Sequence, residues 1–349
     1  MPYTLLPLPK INTCVTSPIT PMSPMRPLAL FRLSASSALL ALGMLMARVA
    51  LASARGDPPP PPPPPSVPQL ARRFGALSYN HGFGKYYGES NIHLIRNGSY
   101  VTIALNKTTG AGLASDSKFY YGFFSAAMKL PAGYTSGVVV AFYMSNSDVY
   151  PHNHDEIDFE LLGHETGRRW ALQTNIYGNG SVSTGREEKF YLWFDPTLDY
   201  HHYSIIWNSH HIVFLVDDIP IREAAYSARF ASVYPSKPMS VYATIWDGSE
   251  WATSGGKYPV DYKYAPFVAS FGDMVMDGCK LDPGNSNSTA QPCSRKSVSD
   301  LDPVGGEEFV KLSEQQAAAM SWARQKLMFY SYCKDVRRFK VMPAECGSK

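Results

Sequence analysis

The carboxylates of the segment His154–Gly163, which reads HDEIDFELLG, are the residues of this chain whose types and spacing most favour chemistry. Successive side chains of an extended strand point to opposite faces, so Glu156, Asp158 and Glu160 share one face. The residues between them are apolar: Ile157, Phe159 and Leu161. The pattern predicts a strand that buries one face and crowds three carboxylates on the other. Asp155 lies beside them, and the segment contains no Lys or Arg.

Paired carboxylates of this kind favour glycoside hydrolysis, in which one Glu attacks the sugar and another, with a raised pKa, protonates the leaving oxygen. Residues i and i+4 of a strand have Cα atoms about 13 Å apart, whereas a retaining mechanism needs carboxyl groups roughly 5–5.5 Å apart. The side chains of Glu156 and Glu160 must therefore lean towards each other, with Asp158 between them to orient the nucleophile. The alternative is a solvated acidic edge strand. The apolar opposite face disfavours it, and edge strands usually carry Lys or alternating charges.

This strand belongs to a series of short β-type runs between Phe74 and Phe271, which turn residues separate. The runs are Tyr100–Leu105, Lys118–Leu130, Gly137–Met144, Glu156–Leu162, Ala171–Ile176, Tyr203–Trp207, Ile212–Val216 and Ser240–Trp246. Many short strands without intervening helical patterns predict an all-β fold, namely an antiparallel β-sandwich of the jelly-roll type.

The last part of the chain has a helical pattern instead. Ser313–Gln316 carries a capping-box signature, and apolar residues then recur with helical spacing at Met320, Ala323, Leu327 and Tyr330. We expect one amphipathic helix whose apolar stripe lies against the sheet.

Residues 1–54 read as a signal peptide and leader. Leu33–Met46 is apolar, two arginines precede it, and the small residues Ala52–Ala54 offer a cleavage site. A membrane anchor is the alternative. It needs about 20 apolar residues to span a bilayer, and Arg48 interrupts this run early. We therefore expect a secreted chain.

The composition of the 349-residue chain, with 45% hydrophobic, 17% charged and 13% aromatic residues, excludes a disordered protein. The formal charge of +3 depends on the leader, because residues 1–54 contain four basic residues and no acidic ones. The remainder has 28 basic and 29 acidic residues, so nucleic acid is not an expected partner. After the leader, residues 55–73 include eight consecutive prolines, Pro58–Pro65, and predict a stiff linker.

Cysteine usage agrees with secretion. Removal of Cys14 with the leader leaves an even number, all in the last quarter of the chain: Cys279, Cys293, Cys333 and Cys346. Four cysteines allow three pairings, and we expect the nearest-neighbour pairs Cys279–Cys293 and Cys333–Cys346, because these close short polar loops. A zinc site is the alternative, and the absence of a CxxC pair disfavours it.

Three further groups of residues bear on ligands. Four N-x-S/T sequons are candidate glycosylation sites in a secreted chain: Asn97, Asn106, Asn179 and Asn287. The pairs His201–His202 and His210–His211 place neighbours on opposite faces of a strand, so we expect surface histidines rather than a metal site. Trp246 and Trp251 have polar neighbours, which favours an open cleft, where rings stack on sugars, over a place in the core.

The carboxylate segment resembles the E-x-D-x-E strand of glycoside hydrolase family 16, and specifically that of plant xyloglucan endotransglucosylase/hydrolases. The resemblance extends from Tyr79 onward through further segments: Phe124–Asn146, Gln173–Asn175, Gly185–Glu188, Leu192–Pro196, Trp246–Asp247, Trp251–Thr253 and Tyr332–Cys333. Leu161, on the expected buried face, stands where the family usually has Phe. The sequon at Asn179 and the short stretch Ser181–Thr184 after it resemble the third subgroup of the family and its transglucosylase branch.

The resemblance implies that Glu156 is the nucleophile, Glu160 the general acid/base and Asp158 the helper between them. It also implies a set of substrate contacts: Gln173, Asn175, Arg186, Glu187, Trp246, Trp251, Gly256, Tyr330 and Arg338. The implied catalytic domain is a concanavalin-like jelly roll at residues 74–275. A C-terminal extension at residues 276–349, stapled by the two disulfides, would lengthen the cleft on the side of the acceptor sugar.

The implied activity is that of a xyloglucan endotransglucosylase, which cleaves the β-1,4-glucan backbone by a retaining double displacement and transfers the glycosyl-enzyme intermediate to another xyloglucan chain. We expect a monomer in the cell wall or apoplast, with no cofactor, no metal and no membrane contact after leader cleavage. The alternatives are a xyloglucan endohydrolase and a non-catalytic module that binds wall glucan on the same fold. Three carboxylates on one strand favour an enzyme, because a lectin needs one at most.

Overall fold

A computed structural model describes residues 63–281 and 303–347 of the chain. One antiparallel sheet of the described residues, the cleft sheet, carries the carboxylate strand near its middle. Its strands, in spatial order, are β1 (Phe83–Tyr87), β4 (Ala111–Ser115), β13 (Ser240–Asp247), β6 (Val138–Ser145), β7 (Glu156–Leu162), β8 (Ala171–Tyr177), β9 (Glu188–Tyr191) and β15 (Met328–Ser331).

A second antiparallel sheet, the outer sheet, packs against the cleft sheet. Its strands, in spatial order, are β12 (Ile219–Ala225), β11 (His211–Val216), β10 (His201–Trp207), β5 (Lys118–Lys129), β14 (Phe267–Leu281), β3 (Tyr100–Leu105) and β2 (Ile92–Ile95). The predicted all-β sandwich is therefore confirmed, and each of the eight predicted runs coincides with a strand to within two residues at either end.

The core between the sheets follows from the alternation in β7. Ile157, Phe159 and Leu161 are fully buried, and the Phe159 ring packs edge-on against Tyr203 and Phe214 of the outer sheet, with ring centroids 5.8 Å and 5.1 Å apart. Burial of this apolar face leaves the carboxylate face of β7 on the opposite surface of the cleft sheet.

Seven strands were not among the predicted runs: β1, β2, β4, β9, β12, β14 and β15. β14 shows why, because bulges interrupt it between Gly272 and Val275 and between Gly278 and Cys279, so its sequence does not alternate regularly. It also continues to Leu281, which carries the sheet past the predicted boundary between residues 275 and 276.

The predicted linker at residues 55–73 includes a segment that packs on the sandwich. Leu70 is buried beside Val213 and Leu215 of β11, and the backbone N–H groups of Leu70 and Ala71 donate to Asp218 at 3.0 Å. Phe74 stacks on Phe123, with ring centroids 4.3 Å apart. The end of the linker is therefore part of the folded unit, because Leu70, which follows the proline run, packs on an apolar surface.

The predicted helix is confirmed as α1 (Glu314–Lys326), which begins at Ser313 with the expected capping box and packs against β12. The predicted stripe is confirmed at Ala323 and, at the C-cap, Leu327, which are buried together with Gln316 and Ala319. Met320 is only half-buried. Tyr330 lies outside the helix, because the chain turns after Leu327 to add β15 to the cleft sheet.

A disulfide joins Cys333 to Cys346, as nearest-neighbour pairing predicts. Cys279 is buried and disulfide-bonded, while Cys293 lies outside the described residues, as do residues 1–54, most of Pro58–Pro65 and the sequon at Asn287. Within the described residues, no helix is long and apolar enough to span a membrane.

Candidate active site

Three carboxylates of β7 form the floor of a cavity of about 260 Å³ on the cleft sheet. Strand register places Glu156 between Ser145 and Tyr177, Asp158 between Tyr143 and Asn175, and Glu160 between Ala141 and Gln173. The cavity is lined by Ala141, Tyr143, Glu156, Asp158, Glu160, Asn175, Tyr177 and Trp246. The three predicted catalytic side chains therefore meet in one concave site.

The surroundings of Glu160 suit a proton donor. Burial raises its pKa to about 7, and the negative charge of Glu156 acts in the same direction. The hydrogen bond from Gln173 Nε2 to Glu160 Oε2, at 2.5 Å, opposes this rise because it favours the carboxylate. A pKa near neutrality suits a group that gives up a proton in one step and takes one back in the next.

Asp158 is the most completely enclosed of the three. Burial raises the pKa of Asp158 well above its ordinary value, and the charges of Glu156 and Glu160 raise it further, while Arg222 opposes the rise. These causes favour the protonated carboxyl of Asp158 over its carboxylate. An O–H group in this position can donate to a neighbouring carboxylate.

Glu156 is held closer to its ionised form. Burial raises its pKa, but a hydrogen bond from Ser145 and the nearby His154 oppose the rise. His154 Nε2 lies 3.8 Å from Glu156 Oε2. Glu156 thus has two partners that favour the anion, as a nucleophile requires.

Asp155 does not add to the crowding that we expected from the sequence. It is fully buried, and its carboxylate accepts from Lys237 Nζ at 2.6 Å and from the backbone N–H groups of Asn179, Ser236 and Lys237. Lys237 is distant in sequence, so the segment alone contained no sign of it. The pair fixes the start of β7 immediately before Glu156.

A buried ion cluster beneath the cavity was also absent from the sequence prediction. Arg324 of α1 donates to both oxygens of Glu188, at 2.5 Å and 2.8 Å, and Arg222 Nε lies 3.8 Å from the same carboxylate. Arg222 also donates to the carbonyl and hydroxyl of Thr174 in β8. This cluster joins the helix to β8 and β9 and supplies the positive charge near Asp158.

Comparisons with known proteins show which families the chain matches. Residues 80–264 match the model of the glycosyl hydrolases family 16, and residues 299–346 match that of the xyloglucan endo-transglycosylase (XET) C-terminus. The chain is 48% identical over 270 residues to "Probable xyloglucan endotransglucosylase/hydrolase protein 28" of Arabidopsis thaliana, with 77% of this chain and 79% of the relative covered.

The chain belongs to the xyloglucan endotransglucosylase/hydrolases of glycoside hydrolase family 16. "Probable xyloglucan endotransglucosylase/hydrolase protein 27" of Arabidopsis thaliana is also 48% identical, over 269 residues that cover 77% of this chain and 78% of the relative. Among solved structures, a prokaryotic β-1,3-1,4-glucanase (lichenase) from a mouse hindgut metagenome has 25% identity and a TM-score of 0.46, over 57% of this chain and 96% of that chain. Members of this family are glycosidases or glycosyltransferases, and this protein is therefore an enzyme.

Three of the substrate contacts that this family implies lie at the cavity. Trp246 and Asn175 line it, and Gln173 reaches it through Glu160. The Trp251 ring is 5.9 Å from that of Trp246 and packs on the same apolar patch of the cleft sheet. Gly256 has a left-handed φ of +83°, and a Cβ there would meet the Glu250 carbonyl at 2.3 Å, so a glycine is required to shape the Trp251 loop.

Three further implied contacts of this enzyme form one cluster where β9 meets β15. Arg338 donates to both oxygens of Glu187, at 2.5 Å and 3.3 Å, and to the Tyr330 hydroxyl at 3.2 Å. That hydroxyl donates to Asp335 at 3.1 Å, and the Tyr330 ring lies under Lys189 Nζ at 5.7 Å. Lys189 pairs in register with Gln173, so the cluster adjoins the row that contains Glu160.

Arg186 does not join the implied contacts at the cavity. It is only 3% exposed, and its guanidinium donates to Glu345 at 2.6 Å, to Ser181 and to the Thr184 carbonyl. Its backbone N–H donates to Asn175 Oδ1 at 2.8 Å. Arg186 thus fixes Asn175 and ties the C-terminal extension to the sandwich, because a buried guanidinium needs a carboxylate partner.

The expectation of surface histidines is wrong for His211, which is buried and bonded to Glu223 at 2.7 Å. His201 pairs with Asp217 at 2.7 Å, and His202 has a buried Nδ1 with no hydrogen-bond partner. Strand alternation alone cannot show that the carboxylates of Asp217 and Glu223 cover two of these side chains. Across residues 63–281 and 303–347, no group of three or more His, Cys, Asp and Glu side chains is arranged to hold a metal ion.

Proposed function

We propose that this protein is a xyloglucan endotransglucosylase that cuts the β-1,4-glucan backbone of xyloglucan and rejoins it to another xyloglucan chain, in remodelling of the cell wall. The observation that carries the proposal is the row of three carboxyl groups on β7, whose surroundings favour different protonation states. The names of the Arabidopsis relatives and the match of the C-terminal extension support xyloglucan as the substrate.

In the first step the Glu156 carboxylate attacks the anomeric carbon of the donor glucan. Glu160 gives its proton to the departing glycosidic oxygen, so the C–O bond breaks as the ester bond to Glu156 forms. Asp158 lies between the two on the strand, where its carboxyl group, whose pKa burial raises, orients Glu156. These roles are the ones that the resemblance implied for the three residues.

In the second step Glu160, now a carboxylate, takes the proton of an acceptor hydroxyl, and the acceptor oxygen displaces Glu156 from the anomeric carbon. Water competes for the same intermediate at a much higher concentration. A sugar acceptor prevails only when it is held in line, since orientation supplies effective molarities of roughly 10⁵ M or more. The rings of Trp246 and Trp251 and the extension that carries Tyr330 offer such a surface, so transfer is expected to dominate.

The test is to incubate the purified protein with xyloglucan and a labelled xyloglucan oligosaccharide, and to follow label incorporation and new reducing ends together. Label that enters polymer with few new reducing ends supports the proposal. Abundant reducing ends without incorporation would make the protein an endohydrolase. Cleavage of an unbranched mixed-linkage glucan, with no reaction on xyloglucan, would show that mixed-linkage glucan is the substrate instead.

The nucleophile is tested by Glu156→Ala, which should lower turnover by several orders of magnitude while polymer binding and folding persist. Glu165→Ala is the matched control, because Glu165 follows β7 closely but pairs with His164 at 3.1 Å outside the cavity lining. Near-full activity of Glu156→Ala would contradict the assignment of Glu156 as the nucleophile.

The same proposal includes four further features of the protein: secretion, processing at residues 1–54, a monomeric state and membership of the third subgroup. Glycosylation at Asn97 and Asn179 is supported by their exposure. Asn106 is less suited, because it is half-buried and its Nδ2 donates to Asn91 at 2.9 Å. Mass spectrometry of glycopeptides from the secreted protein tests whether Asn97 and Asn179 carry glycans more often than Asn106 does.

A further inference from the structure

Two exposed aromatic rings stack on each other at the edge of the cleft sheet. Tyr191, the last residue of β9, and Phe329 of β15 have ring centroids 4.4 Å apart and ring planes 24° from parallel. They remain 39% and 47% exposed. Each ring covers one face of the other, so the outward face of the pair is open to a ligand that offers C–H groups, as the faces of a pyranose do.

Strand register places this ring pair on the same surface as the carboxylates. Tyr191 pairs with Ala171 of β8, and Ala171 pairs with Leu162 of β7, which is two residues after Glu160 on the same face. From Glu160 to Tyr191 the path crosses two strand spacings and advances two residues, so the backbone separation is about 12 Å. A short glucan oligosaccharide that occupies the catalytic cavity can therefore reach the ring pair.

The surface beside Phe329 is concave and carries polar groups. A cavity of about 440 Å³ adjoins the ring, and its lining includes Tyr330, Lys334, Asp335 and Arg337. An aromatic wall next to convergent donors and acceptors suits the alternating C–H faces and hydroxyl groups of a sugar. Tyr330 belongs both to this cavity and to the Glu187–Arg338 cluster, so the concave surface is continuous with the implied substrate contacts.

We propose that the Tyr191–Phe329 ring pair and the cavity beside it form an outlying site for a glucosyl residue of the acceptor chain, beyond the residues that hold the sugars next to the scissile bond. This proposal rests on the proposed transglucosylase function. Such a site makes the affinity for an acceptor depend on acceptor length, because only a chain that extends to the sheet edge contacts the rings.

The test is the acceptor KM of wild type and Phe329→Ala for two labelled xyloglucan oligosaccharides, one of a single repeating unit and one of two. For the longer acceptor, Phe329→Ala should raise KM by about threefold to tenfold, the scale of one aromatic contact. For the shorter acceptor, KM and kcat should not change. Phe329→Trp, which keeps a ring, should retain the preference for the longer chain.

The matched control is Tyr200→Ala, which removes one ring of an aromatic pair with Tyr100, 5.2 Å apart, at the outer sheet. It should leave the KM ratio of the two acceptors at the wild-type value. An unchanged ratio in Phe329→Ala, or an equal rise in KM for both acceptors, would overturn the ring-pair site while transfer by the wild type still supports the function. Absence of transfer by the wild type would overturn both.

Discussion

The hydrogen bond from Gln173 to Glu160 allows a quantitative prediction about the pH dependence of activity. Gln173 Nε2 donates to Glu160 Oε2 at 2.5 Å and favours the ionised carboxyl. Gln173→Met keeps a side chain of similar length and removes the donor. The pKa of Glu160, about 7 in the wild type, should therefore rise.

The size of the rise follows from the strength of the bond. A hydrogen bond to a charged group contributes about 1.5–3 kcal/mol, and one pKa unit corresponds to about 1.4 kcal/mol. Loss of the bond to the ionised form should thus raise the pKa of Glu160 by about one to two units. The sign is fixed by the role of Glu160, which must be protonated in the first step, so activity should persist to higher pH.

The assay is the pH dependence of kcat/KM for the donor xyloglucan, measured from initial rates of label transfer. Its alkaline limb reports the essential acid of the free enzyme. Tyr177→Phe is the control, because Tyr177 lines the same cavity and its hydroxyl bonds to Asn175 rather than to Glu160. Its alkaline limb should match that of the wild type.

Control of the Glu160 pKa by Gln173 would be refuted if the alkaline limb of Gln173→Met stayed in place or moved to lower pH. It would also be refuted if Tyr177→Phe moved the limb as far as Gln173→Met does, because the shift would then reflect general disturbance of the cavity. A lower maximal rate in Gln173→Met with the expected shift would remain consistent, since the implied substrate contact is lost together with the hydrogen bond.

Three further predictions concern stability. Asp158→Asn should raise the melting temperature near pH 8. Because the pKa of Asp158 is raised in the folded state, wild-type stability falls as the pH rises above the unfolded-state pKa of about 3.9. The advantage of the variant should therefore vanish at about pH 4. An equal advantage at both pH values would contradict a raised pKa for Asp158. Glu188→Gln should lower the free energy of unfolding in urea by about 3–5 kcal/mol, because it leaves the buried Arg222 without its carboxylate; a loss below about 1 kcal/mol would show that the cluster is solvated. Cys333→Ser opens a loop with a sequence separation of 13 and should cost about 3 kcal/mol in the same measurement under oxidising conditions, and added reductant should cost the variant less than it costs the wild type, which has this further disulfide to lose.

Local patterns in the sequence were sufficient for the elements that position the site. The alternation in Glu156–Leu162 identified which face of β7 is buried, because side-chain direction in a strand depends only on residue parity. The Ser313 capping box located the start of α1 for a similar reason, since it involves residues within one turn. Strands with bulges, such as β14, were missed because a bulge changes that parity.

The tertiary structure decided the charges of the site. Lys237 neutralises Asp155, Arg222 lies near Asp158 and Glu345 holds Arg186 away from the cavity, and each partner is far away in the sequence. The same holds for the stacked rings of Tyr191 and Phe329, which meet only because β15 pairs with β9. Periodicity reports the face of an element, whereas a pKa depends on burial and on every charge within a few ångströms, and only the folded chain brings those groups together.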